Sequence, residues 1–282
     1  ALLYCKAFFL LGYILFGISC DVYRFNPTNF IANLAAKNNW QRYTAKYKHI
    51  TLAGFFKPTS SSSDTLHVYI EGDGAPWVHP WMPPENPTPF APIAFQLALK
   101  DPHPNVLYMA RPCQLTTGKE REGCHIELWT SARFSIDVVN STDFAISRYL
   151  KFIKGHKVVL FGYSGGGSIA ALVAAKRKDT KGLITVSGTL DHEVWTSHHK
   201  VNPLYNSLNP IQFGQELSKI PQIHFIGEED EIMPRIIAES YLKSLDNNHG
   251  AEIINLMKYD HSCCWVNSWP KLLSKISFIN KN

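Results

Sequence analysis

Lys157-Val-Val-Leu-Phe-Gly-Tyr-Ser-Gly-Gly-Gly-Ser-Ile-Ala-Ala-Leu-Val-Ala-Ala-Lys-Arg-Lys178 decides the fold. It opens with a short apolar run, Lys157 to Gly162, of the kind found in a strand covered on both faces. It closes with a helix of small residues, Ser168 to Lys178. Gly162-Tyr163-Ser164-Gly165-Gly166 lies between them and fits G-x-S-x-G. A chain that turns this sharply from strand to helix tolerates only small neighbours and holds the central serine in a strained conformation. The helix N-terminus favours negative charge beside that serine. A phosphate cradle would need Gly-Lys-Ser or Gly-Lys-Thr, whereas Gly167-Ser168-Ile169 follows here. Ser164 is therefore the candidate nucleophile.

Working outward, further strand-like stretches are His49 to Phe56, Thr65 to Glu71, Asn105 to Ala110, Gly182 to Ser187, Gln222 to Gly227 and Glu252 to Met257. Helical patterns occupy Pro89 to Leu99, Ile136 to Ile153, Ile211 to Leu217, Pro234 to Leu245 and Asn267 to Ile279. Strands alternating with helices predict an α/β fold with a mostly parallel twisted central sheet and helices on both faces. The strands at His49 and Thr65 are expected to pair antiparallel at one edge. Asp21 to Tyr47 reads as an extension, helical from Thr28 to Lys37. Residues 21–282 are expected to form one domain with long loops at 73–92 and 111–133. The first of these loops holds seven prolines and two tryptophans, which exclude a helix or a central strand.

A serine hydroxyl needs a base. His261 follows the last strand-like stretch, which is where a base belongs. His198, His199 and His249 are less well placed. An acid should orient the imidazole. Asp230, in Gly227-Glu-Glu-Asp-Glu-Ile-Met-Pro234, has the G-x-x-D-x-x-x-P spacing. Asp191 is its rival, and Asp260 is read as shaping the turn before His261. One oxyanion-hole donor is expected to be the Gly165 N–H, and the other the Asp73 or Gly74 N–H in the Gly72-Asp73-Gly74 turn.

Together these motifs resemble the α/β-hydrolase superfamily over about Thr65 to Trp265. In lipases and esterases of that superfamily the early turn is of the HGGG type, so Glu71 is a departure. The stretches YIEGDG, ARPCQ, WTSARFS and HSCCW resemble a group of exported bacterial α/β-hydrolases of undefined substrate. The resemblance implies a serine hydrolase that cleaves a carboxylic ester through an acyl-enzyme and takes a small-molecule or lipid ester as substrate. A peptidase, an acyltransferase or a non-catalytic binding protein on the same fold stays open. Trp77, Trp81 and Trp129 either line an acyl pocket or pack loops to the core. Arg111 and Arg133 are expected to pair with acids on the surface rather than with a substrate carboxylate.

The 282 residues are 45% hydrophobic and 18% charged, enough for a substantial core. The net charge of +5 is spread along the chain, without the basic patch expected of a nucleic-acid binder. No metal, nucleotide or flavin site is indicated. Residues 1–20 carry a single charge, Lys6, and an apolar run from Ala7 to Ile18. That run is shorter than the about 20 residues of a membrane span and suits a signal peptide. Gly17-Ile18-Ser19-Cys20 resembles a lipoprotein cleavage box, with Gly17 where Leu is usual. An acylated Cys20 would attach the protein to a membrane; secretion, a periplasmic location and an uncleaved anchor are the other readings. Of the remaining cysteines, Cys113 and Cys124 are expected to bridge, and Cys263 and Cys264 are adjacent.

Overall fold

The computed structural model describes residues 25–60, 63–75, 82–246 and 250–280. The leader with Cys5 and Cys20, the segment holding Trp77 and Trp81, and His249 lie outside them. Helix α1 (Pro27–Lys37) leads into strands β1 (Gln41–Tyr47) and β2 (Ile50–Phe56). There follow β3 (Thr65–Ile70), α2 (Ile93–Leu99), β4 (Val106–Met109), α3 (Ile136–Phe152), β5 (Lys157–Tyr163), α4 (Gly165–Lys176) and β6 (Thr180–Val186). The chain continues through α5 (His192–His199), α6 (Gly214–Leu217), β7 (Gln222–Gly227), α7 (Arg235–Ser244) and β8 (Ala251–Leu256), and ends with α8 (Trp265–Ser274) and α9 (Ser277–Asn280). Among the described residues, no helix is long and apolar enough to cross a membrane.

The strands form one eight-stranded sheet in the order β1-β2-β4-β3-β5-β6-β7-β8. From β4 onward every neighbour pair is parallel. Successive side chains of a strand face opposite sides, so one strand feeds two cores. Val158 and Leu160 of β5 enter the core under α3, α4 and α7, whereas Val159 and Phe161 enter the core under α1, α2 and α8. This two-sided burial explains the nearly unbroken apolar runs of the central strands.

Two expectations need correction. The sequence pattern assigns Gln41–Tyr47 to an extension, yet this segment pairs antiparallel with β2 across a tight turn from Tyr47 to Ile50. Its exposed Gln41, Arg42 and Lys46 break the apolar signal, as is common on an edge strand, where such charges also discourage pairing with another chain. Nor do β2 and β3 pair with each other. β2 runs antiparallel to β4, and β3 lies inside the sheet between β4 and β5. This order brings the carboxyl ends of β3 and β5 side by side, with Ile70 opposite Gly162.

Candidate active site

Ser164 stands at the bend between β5 and α4 with φ 51° and ψ −125°, a conformation a non-glycine residue adopts only under strain. Three backbone hydrogen bonds hold the bend. Ser164 N–H donates to the Val186 carbonyl at 3.0 Å, and the Ser164 carbonyl accepts from Gly167 at 2.9 Å and Thr189 at 3.0 Å. The flanking glycines answer to specific neighbours: a Cβ on Gly162 would lie 2.4 Å from the Gly166 carbonyl oxygen, and one on Gly166 would lie 2.3 Å from that of Ile70.

His261 Nε2 is 3.1 Å from Ser164 Oγ, and His261 Nδ1 is 3.0 Å from Asp230 Oδ2. Asp230 Oδ1 accepts from the N–H groups of Ile232 (3.0 Å) and Met233 (2.8 Å). Burial opposes ionisation of Asp230, but the hydrogen bond and charge of His261, with the Met233 N–H, outweigh it and hold the carboxyl below its ordinary range. The three predicted residues thus converge from three separate strand ends. The rival, Asp191, does other work: it caps α5 by accepting from the Glu193 and Val194 N–H groups and takes further bonds from Asn209 and Ser240. Asp260 accepts from the Ser262 and Cys263 N–H groups, which shapes the turn after it. His199 bonds the Ile232 carbonyl from α5.

Two residues that hold the histidine loop escape the sequence reading. The Tyr163 hydroxyl and Trp265 Nε1 both donate to the His261 carbonyl, at 3.0 and 3.1 Å. Their signal in the sequence is adjacency: Tyr163 precedes the nucleophile, and Trp265 closes the HSCCW stretch. In that stretch the sulfurs of Cys263 and Cys264 lie in bonding contact, and Cys113 pairs with Cys124 across a Cα separation of 5.7 Å.

The Gly72–Gly74 turn lies against the nucleophile, since a Cβ on Gly72 would be 3.2 Å from Ser164 Cβ. Gly72 N–H is already used, donating to Glu71 Oε1 at 2.9 Å. The N–H groups of Asp73, Gly74 and Gly165 have no hydrogen-bond acceptor among the described residues. Glu71, which departs from the HGGG pattern, is buried and engages the start of α2. Its carboxylate receives the Ala94 and Phe95 N–H groups, both at 3.4 Å, and so caps α2, whose own N-cap, Pro92, makes no side-chain cap. Burial pushes Glu71 up to about 7, against the pull of those donors and of the Tyr108 hydroxyl.

Arg111 and Arg133 are not surface residues. Both are buried and both pair with Asp73. Trp129 is buried in the core under α3 and α4 and packs its loop to that core. An open groove lined by His198, Glu228, Glu231 and Asp260 lies beyond Asp230, and Ser164 does not line it.

A mostly parallel sheet with a strained serine after a central strand, and an acid and a histidine after later ones, defines an α/β-hydrolase. The family model described as serine hydrolase (FSH1) matches residues 114–261, more than half of the chain, and the protein belongs to that serine hydrolase family. Solved structures agree on the fold. An α/β serine hydrolase homologue from Coxiella burnetii is 14% identical, with TM-score 0.58, covering 86% of this chain and 97% of its own. An esterase from Pyrococcus furiosus is 13% identical, with TM-score 0.60, covering 87% and 93%. The esterase domain of a Rhodothermus marinus protein is 12% identical, with TM-score 0.55, covering 83% and 94%. No curated protein matches the chain in sequence.

Proposed function

We propose that this serine hydrolase cleaves carboxylic esters through Ser164, His261 and Asp230. The observation that carries the reading is the unbroken chain from Ser164 Oγ through the His261 ring to Asp230 Oδ2, at 3.1 and 3.0 Å. His261 Nε2 takes the hydroxyl proton while Oγ attacks the ester carbonyl. Asp230 holds the ring so that Nδ1–H faces the carboxylate, and stabilises the imidazolium that forms. The developing oxyanion is met by the Gly165 N–H and by the Asp73 or Gly74 N–H. The Asp73 side chain lies against Gly165, which puts this turn beside the first donor. Collapse expels the alcohol, protonated by His261. Water then repeats the sequence and releases the acid. Two of the structural relatives named above are esterases, which supports an ester as substrate.

A fluorophosphonate probe is expected to label the wild type and to leave Ser164→Ala unlabelled. A panel of p-nitrophenyl esters of increasing acyl length should be turned over by the wild type alone, against Ser164→Ala and His261→Ala. Labelling that persists in Ser164→Ala at the wild-type rate would overturn the assignment. We propose export as well, with Cys20 as the acylated residue, on the strength of the leader pattern and the Cys113–Cys124 bridge. Mass spectrometry of the protein made with its leader should find a lipidated Cys20 at the mature N-terminus; an unprocessed leader would refute this.

A further inference from the structure

ARPCQ and WTSARFS take no part in the triad, yet both close on the Gly72–Gly74 turn. Asp73 Oδ1 accepts from Arg111 Nη1 at 2.9 Å, and Oδ2 accepts from Arg133 Nη1 at 2.7 Å. The arginines are 3% and 6% exposed. They also brace each other: Arg111 Nη2 donates to the Arg133 carbonyl, and Arg133 Nε donates to the Thr130 carbonyl at 2.6 Å. The Arg111 guanidinium lies over the Phe134 ring at 5.3 Å. Gln114 Nε2 donates to the Gly72 carbonyl at 3.0 Å, while Gln114 Oε1 accepts the Arg111 N–H at 3.1 Å. On the far side, a Cβ on Gly74 would lie 2.0 Å from the Pro87 carbonyl oxygen.

The Asp73 carboxylate presses on the residue after the nucleophile. A Cβ on Gly165 would come 2.1 Å from Asp73 Oδ1, so the carboxylate fills the space a side chain there would need. Alone, an anion at this point would oppose a developing oxyanion. Two guanidinium groups on one carboxylate reverse the sign and leave a surplus of one positive charge. Burial favours the neutral acid, but Arg133 and then Arg111 overcome it and hold Asp73 below its ordinary range.

We propose that Arg111, Arg133 and Gln114 are positioning residues for the oxyanion hole. Through Asp73 and the Gly72 carbonyl they lock the turn against α4, so that the Asp73 and Gly165 N–H groups are aimed before substrate arrives. The inference rests on Ser164 being the nucleophile. Oxyanion donors are effective because they are fixed in advance, and a loosened turn loses that advantage in the transition state rather than in substrate binding. The planar fork of arginine suits this bracing, and lysine cannot replace both of its bonds.

The full chain is compared with Arg133→Lys, Gln114→Met and Asp73→Asn. Active sites are counted with a fluorophosphonate, kcat and KM are measured on p-nitrophenyl butyrate, and an alkyl trifluoromethyl ketone serves as the tetrahedral analogue. Per titrated site, kcat should fall about 10- to 100-fold, with KM changed less than about threefold. Ketone affinity should weaken in step with kcat/KM across the series, as expected for a lost transition-state contact. Arg133→Lys and Gln114→Met keep the test open if Asp73→Asn does not fold. Variants that lose only melting temperature or titratable fraction, with kcat per site unchanged, would overturn the proposal. So would a rise in KM at constant kcat, which would make the arginines a substrate anchor. A wild type that neither labels nor turns over refutes the nucleophile reading itself, and the proposal with it.

Discussion

Two Asp–His pairs occupy opposite ends of the sheet. At its carboxyl end His261 meets Asp230 at 3.0 Å, and toward the amino end of β3 His67 meets Asp101 at 2.7 Å. The second pair is the shorter and the more buried, the His67 side chain being 5% exposed against 15% for His261. Asp101 also accepts the Tyr69 hydroxyl at 2.8 Å, Trp269 Nε1 donates to that hydroxyl, and His103 stacks on His67 at 3.9 Å. The Ser63 hydroxyl is 3.4 Å from His103 and accepts the Thr65 N–H in a local turn. A carboxylate behind an imidazole is thus one part of the proposed catalytic arrangement and recurs away from it. What separates the two ends is a serine held at positive φ over a helix N-terminus, beside N–H groups that have no acceptor among the described residues.

The strongest way to break this comparison is to remove each histidine. His261→Ala should lower kcat for ester hydrolysis by about 10⁴- to 10⁶-fold. His67→Ala should leave kcat per titrated site within about threefold of wild type. Equal losses from both would mean that the amino-end pair takes part in the chemistry.

The two carboxylates offer a second, smaller contrast. Asp230→Asn is expected to cost about 10⁴-fold in kcat, through the wrong imidazole tautomer, with little change in folding. Asp101→Ala should instead lower unfolding stability by about 2–5 kcal/mol, because it strands the buried Tyr69 hydroxyl and the His67 ring nitrogen. Urea titration beside steady-state kinetics reads both effects, and an Asp101→Ala protein as stable as wild type would contradict the account.

The smallest expected effect sharpens the comparison from between the two ends. Glu71 is held near 7 in the folded chain against an ordinary value of 4.5. Between those values the folded state keeps a proton the unfolded state has lost, so this group's contribution to stability is full below about 4.5 and is lost as pH rises through about 7. His103, lowered by burial to about 4 from 6.5, and buried His224, lowered to about 3, act in the opposite sense: stability falls as pH drops below 6.5. Glu71→Gln should therefore make stability rise more steeply with pH between about 4.5 and 6.5. Thermal melts across that range check it, and parallel curves for wild type and variant would refute it.

Much of the site is legible along the chain. The apolar run, the glycine-flanked serine and the small-residue helix are local, and local sterics dictate that bend whatever surrounds it. Periodicity places Ser164, Asp230 and His261 each after a strand-like stretch, and local motifs single out the serine and the acid. The G-x-x-D-x-x-x-P spacing favours Asp230 over Asp191, but the role Asp191 takes instead, capping α5, comes only from the fold. β1 stays hidden because an edge strand needs to bury little of its surface, so its charges erase the alternation that marks a strand.

By itself the sequence determined the alternation of strands and helices, the strained serine and the candidate base, since each depends on neighbours a few positions away along the chain. Only the tertiary structure decided that β3 lies inside the sheet, that Glu71 caps a helix, and that Arg111, Gln114 and Arg133 close on the turn at Asp73. These are matters of hydrogen bonds and ion pairs between residues 22 to 92 positions apart. No spacing rule reaches that far: a guanidinium selects its carboxylate by proximity and shared burial, and both exist only once the chain has folded.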